Sequence, residues 1–121
     1  MKLADLRVTP RGDAVVATIT GEIDMSNAAE LRQALSEAAP NVVSGMVLDL
    51  SSLDYMDSTG IQLLFGLHED LRTRSLRLML VIPDGSVVAE TFRLAGVTGN
   101  MEVFANVQQA IAALAPQAMP S

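Results

Sequence analysis

Apolar and β-branched positions dominate the first quarter of the chain in a way that suits extended structure. In LADLRVTPRGDAVVATITGEI, two short segments flank a turn from Pro10 to Asp13, the second carried by Val15, Val16, Thr18, Ile19 and Thr20. Such side chains fit a pleated surface, so the pattern predicts a hairpin. After GEID the spacing becomes helical: Asn27 with Glu30 three residues on resembles a capping box, and Leu31, Ala34, Leu35 and Ala38 form one apolar face. Pro40 then closes the helix, having no N–H to continue it. GMVLDL is a near-continuous apolar run, as in a strand covered on both faces. A second helix is predicted from 58 to about 73, apolar at Ile61, Leu63, Leu64, Phe65, Leu67 and Leu71, a stripe broad enough to imply burial between a sheet and its neighbours. LRLMLVI gives another strand. Pro83 and Asp84 start a helix through Val88, Phe92 and Ala95, with Gly96 as its C-cap. A short strand around Val103 and a last helix of Val107, Ala110, Ile111 and Leu114 complete the order ββαβαβαβα.

Strands alternating with helices of this length predict an α/β fold, with a mixed, mostly parallel sheet of about five strands and about four helices. The 121 residues suit one domain, residues 1–115, followed by a frayed tail, 116–121. Half the residues are hydrophobic but only 3% are aromatic, so the core is expected to consist of Val, Leu, Ile, Ala and Met.

Charge narrows the partners. Fourteen acidic against eight basic residues leave a net charge of −6, which opposes direct nucleic-acid binding. Lys2 is the only lysine, and no Lys or Arg occurs between Gln33 and Leu71, where Glu37, Asp49, Asp54, Asp57, Glu69 and Asp70 fall. That interval reads either as solvated acid or as an acidic recognition face. The absence of cysteine excludes disulfides, thiolate chemistry and Cys-ligated zinc. No apolar run approaches the roughly 20 residues that span a bilayer, and MKLADLRV is broken by Asp5 and Arg7, so a cytoplasmic protein without membrane insertion is expected.

Candidate chemistry centres on YMDSTG, where Ser58 reads as a nucleophile, a helix cap or a site of modification. A serine hydrolase needs a base within hydrogen-bond reach, but the only histidine, His68, lies about 15 Å along the same helix. There is no G-x-S-x-G elbow, no G-x-x-x-x-G-K-[ST] and no G-x-G-x-x-G, so no catalytic residue and no nucleotide cofactor is assigned. Asp49, Asp54 and Asp57 raise a metal reading. The lysine and the paired acids of aspartate-phosphorylated receiver domains are missing at matching places, and Asp54 reads as a loop residue, so no metal site is assigned.

Asp57 and Ser58 are both strong helix caps, since their oxygens accept from the unpaired N–H groups of a first turn. Capping alone leaves Gly60 unexplained: glycine in a first turn lowers helix stability and suggests a close approach to the backbone. A phosphate on Ser58 would meet the positive end of its own helix, whereas a docked partner would meet about two added negative charges beside Asp57.

GEID before the first helix, the apolar strand, MDSTG opening a leucine-rich helix and LAGVTG near the end together resemble the STAS domain of bacterial anti-sigma factor antagonists, over about Leu3 to Leu114. The resemblance implies a non-enzymatic module that binds an anti-sigma factor when unphosphorylated, freeing a sigma factor. That anti-sigma factor is itself a serine kinase, and phosphorylation at the position of Ser58 releases it. Asp24, Asp57, Thr59 and Gly60 are placed by the resemblance on the interaction surface, with Met25, Tyr55 and Met56 beside them as docking contacts if exposed and core if buried. Monomer is the expected state when free. Two other readings stay open: a STAS accessory subunit of a transporter or stress-signalling scaffold, and a nucleotide-binding protein, which the missing lysine and glycine loop disfavour.

Overall fold

The computed structural model describes residues 4–39, 44–96 and 101–114. Pro40, the last three residues of LAGVTG and the 116–121 tail, on which expectations fell, lie outside the described residues. Within them run β1 (Ala4–Arg11), β2 (Ala14–Ile23), α1 (Ala28–Glu37), β3 (Gly45–Asp49), β4 (Leu53–Met56), α2 (Ser58–Arg72), β5 (Arg77–Val81), α3 (Val87–Ala95), β6 (Glu102–Phe104) and α4 (Val107–Leu114). The mixed α/β architecture agrees with the pattern, and β1 and β2 form the expected antiparallel hairpin.

The sheet runs β1-β2-β3-β5-β6, and every pairing after the hairpin is parallel. One strand was not anticipated. β3 lies along the first half of β2, from Ala14 to Thr18, while β4 takes the last part, Gly21 to Ile23, across a register shift at Gly21 and Glu22. Asp54 therefore sits in a strand and not a loop. Leu53-Asp54-Tyr55-Met56 is too short and too mixed to show a period, and only the free flank of β2 makes it a strand.

Alternation explains why the central strands read as unbroken apolar runs. Met46 and Leu48 of β3 and Leu78 and Leu80 of β5 join the core under α1, α2 and α3. Val47, Met79 and Val81 point to the other face, against Ala110 and Leu114 of α4. α2 is the central helix of the first face, with Leu63, Leu64, Leu67 and Leu71 buried. Its Phe65, counted in the apolar stripe, is instead 42% exposed. Likewise α1 buries Leu31 and Leu35 but leaves Ala34 exposed. α3 begins with Ser86, whose side chain accepts from Ala89 N–H at 3.2 Å, and ends at Gly96 in the left-handed region, φ 68°, the C-cap expected of it.

Candidate functional site

Parallel pairing of β2 with β4 puts the carboxyl ends of both strands at one edge of the sheet, so the segments that follow them become neighbours. Asp57 N–H donates to the Ile23 carbonyl at 3.3 Å, which joins the end of β4 to the residue before Asp24. Between α1 and α2 a shallow groove of about 260 Å³ is lined by Met25, Ala28, Ala29, Arg32, Thr59, Gln62 and Leu63. GEID and MDSTG, more than thirty residues apart in sequence, thus share one surface.

At the start of α2, Asp57 is the N-cap: its carboxylate accepts from Thr59 N–H at 2.9 Å and from the Thr59 hydroxyl. Ser58 is the first helical residue, exposed, and its hydroxyl makes no hydrogen bond among the described residues. The two adjacent hydroxyls therefore differ: Thr59 is half-buried and engaged, Ser58 is free. The Asp57 carbonyl takes Gly60 N–H at 3.0 Å and Ile61 N–H at 3.4 Å. The N–H groups of Thr59, Gly60 and Ile61 are thus all taken by Asp57, through its carboxylate or its carbonyl.

The close approach that Gly60 suggested comes from the protein itself. A Cβ there would stand 2.1 Å from Met56 Cγ and 2.7 Å from Met56 Sδ. Met56 is 2% exposed and Gly60 is buried, so both seat the helix on the sheet and neither presents surface to a partner. By sequence Met56 is a docking contact if exposed and core if buried, and the inward turn of β4 buries it beside Gly60. Met25, at 82% exposure, and Tyr55, at 46%, lie on the surface.

Asp24 also turns to local work. Its carboxylate accepts from Ser26 N–H at 2.9 Å and from the Ser26 hydroxyl, and these bonds hold its pKa below the ordinary aspartate value. Asn27, expected to cap α1, makes no side-chain cap bond. Its amide reaches back, donating to the Glu22 carbonyl at 2.8 Å and accepting from Asp24 N–H at 3.1 Å. Asp24-Met25-Ser26-Asn27 is thereby cross-braced. The Ser26 contact was legible as a polar residue two positions after an aspartate. That Thr91 on α3 donates to the Met56 carbonyl at 3.0 Å was not, because it joins residues distant in sequence.

Other candidates do not converge. His68 lies half-buried on α2, about ten residues of rise from Ser58 and so ~15 Å away along the axis. The Asp49 carboxylate accepts from Ser51 N–H and hydroxyl at 3.0 and 2.6 Å, and Asp54 is exposed on β4. Among the described residues no group of three or more His, Cys, Asp or Glu side chains is placed to hold a metal ion, and no helix is long and apolar enough to cross a membrane. Arg32, the basic residue of the groove, is held by Asp70 through two bonds of 3.0 Å.

Comparison with known proteins agrees with the fold. A sequence model of the STAS domain matches residues 5–110. The anti-sigma-F factor antagonist RsfB of Mycobacterium tuberculosis is 28% identical over 104 residues, covering 86% of this chain and 84% of that protein. An anti-sigma factor antagonist from Mycobacterium paratuberculosis superposes with a TM-score of 0.76 at 22% identity, covering 92% of this chain and 93% of the other. The phosphorylated form of the Bacillus cell fate determinant SpoIIAA gives a TM-score of 0.66 at 23% identity, over 92% of this chain and 100% of the other.

Proposed function

The chain belongs to the STAS domain family, and from that premise we propose that it is an anti-sigma factor antagonist switched by phosphorylation at Ser58. In the unmodified state the surface formed by Asp24, Met25, Asp57, Ser58 and Thr59 engages an anti-sigma factor that is also a serine kinase, and a sigma factor is freed. Phosphate on Ser58 ends that engagement. The chain acts as a cytoplasmic binding module and performs no catalysis of its own.

One observation carries the reading: Ser58 is exposed with an unengaged hydroxyl, on a helix start fixed by the Asp57 cap and set beside the groove that Met25 lines. A kinase can reach that oxygen without unfolding anything. The added phosphate carries about −1.5 to −2 charges at neutral pH. It would stand beside the Asp57 carboxylate, whose place at the helix end is already taken up by Thr59. Moving an interface from 99% to 1% occupied takes ~5.5 kcal/mol, within reach of a doubly charged group buried without a counter-charge. The relatives named as anti-sigma factor antagonists, and the match to a neighbour solved in phosphorylated form, support the same assignment.

The test is incubation with candidate serine kinases of the source organism and ATP, followed by phosphopeptide mapping. Phosphate is expected on Ser58, with Ser58→Ala unmodified but still bound to the kinase and Ser58→Glu released at unchanged thermal stability. Phosphate found only elsewhere, or equal affinity of the two variants, refutes the switch.

A further inference from the structure

Met25 is an unusual residue to find at 82% exposure on a segment held so firmly. The Asp24 carbonyl accepts from Asn27 N–H at 3.2 Å and Ala28 N–H at 3.0 Å, the Asp24 carboxylate holds Ser26, and Asn27 ties the segment back to Glu22. These bonds fix the backbone on both sides of Met25 and leave its thioether in solvent at the groove shared with Thr59. The other methionines among the described residues are withdrawn: Met46 and Met79 at 0%, Met56 at 2%, and Met101 half-buried. The chain has no cysteine, so no thiol competes for an oxidant.

We propose that Met25 is an oxidation-sensitive anchor of the docking surface, so that conversion to the sulfoxide weakens partner binding independently of Ser58. The inference rests on the reading above, that this surface engages an anti-sigma factor. In the step, the Met25 sulfur attacks one oxygen of hydrogen peroxide, the O–O bond breaks, and the second oxygen leaves as water after proton transfer. Sulfide is oxidised to sulfoxide and peroxide is reduced. The flexible apolar side chain becomes polar and chiral, and it loses the fit of a thioether in an apolar contact. The Asp24 carboxylate braces the turn that displays Met25 through its bonds to Ser26.

The experiment uses the full chain and the kinase that modifies it in the phosphorylation assay. The chain is treated with hydrogen peroxide, the peroxide is destroyed with catalase, and oxidation is mapped by peptide mass before binding is measured. Met25 is expected to oxidise well ahead of Met46, Met56 and Met79, and affinity to fall by about tenfold or more, the loss typical of a buried interface anchor. Methionine sulfoxide reductase should restore it. Met25→Leu, close in volume, should bind like the unmodified chain and keep its affinity after peroxide. Binding unchanged when Met25 is fully oxidised overturns the proposal, as does an equal peroxide effect on Met25→Leu. Ser58→Glu run in parallel separates the two failures. If it releases the kinase while oxidation does not, only this inference falls; if it binds normally while oxidation still lowers affinity and Met25→Leu does not respond, the Ser58 switch falls and the Met25 proposal stands.

Discussion

Gly60 tests whether the helix start is set by internal packing. In Gly60→Ala the new Cβ would be 2.1 Å from Met56 Cγ, 2.7 Å from Met56 Sδ and 3.4 Å from Ile23 Cγ2. Carbon atoms pack best at about 3.5 to 4.0 Å, so Met56 must move well over an ångström within a core where it is almost fully enclosed. Overpacking of this kind costs about 1–3 kcal/mol. Alanine returns at most ~1 kcal/mol of helix propensity, so the net expectation is a loss of roughly 1–2 kcal/mol, or a fall in Tm of about 3–10 °C for a domain of this size. Urea titration followed by far-UV circular dichroism measures it. Met56→Ala alone should cost about 2–5 kcal/mol by leaving a cavity. The double variant should be more stable than the sum predicts by about 1 kcal/mol or more, because the alanine at 60 then has room. Gly60→Ala at or above wild-type stability refutes the reasoning. Gly60 N–H also donates to the Asp57 carbonyl at 3.0 Å, so the same shift should disturb the cap beside Ser58.

Two further outcomes follow from the same surface. Gly66 faces Arg32, whose Cζ would lie 2.5 Å from an added Cβ; the obstacle is the mobile end of an exposed side chain, so Gly66→Ala should displace the Arg32–Asp70 pair at a cost of ~0–1 kcal/mol and regain up to ~1 kcal/mol of propensity. Its urea midpoint should stay near wild type, and a loss beyond about 2 kcal/mol would show that the ion pair does more than a surface contact does. The Arg32 guanidinium, by its hydrogen bonds, holds Asp70 below the ordinary aspartate value of 3.8. A depressed carboxyl stabilises the fold above its unfolded pKa, and that contribution disappears as pH falls through the folded value. The stability gap between wild type and Asp70→Asn should therefore be full at neutral pH and shrink below pH about 4. A gap that persists in strong acid would refute the pairing. Both side chains are substantially exposed, so the neutral-pH gap should not exceed about 1 kcal/mol.

Much of the architecture follows from periodicities that a local stretch of chain carries within itself. The hairpin, the buried β3 and β5, the reach of α2 and the Gly96 stop all depend on side-chain alternation, helical spacing or a residue's own backbone preference. The Asp57 cap and the separation of His68 from Ser58 are legible for the same reason, since helix geometry fixes both. Features set by contact between distant segments were not. β4 exists because β3 leaves the end of β2 unpaired. Phe65 is exposed because no neighbour covers that part of the α2 stripe among the described residues. Asn27 bonds backward because Glu22 and Asp24 are held at the end of β2. Sequence alone singled out YMDSTG as the candidate segment; only the tertiary structure decided that Met56 and Gly60 are buried while Ser58 and Met25 face outward, because burial is settled by which surfaces meet across the fold.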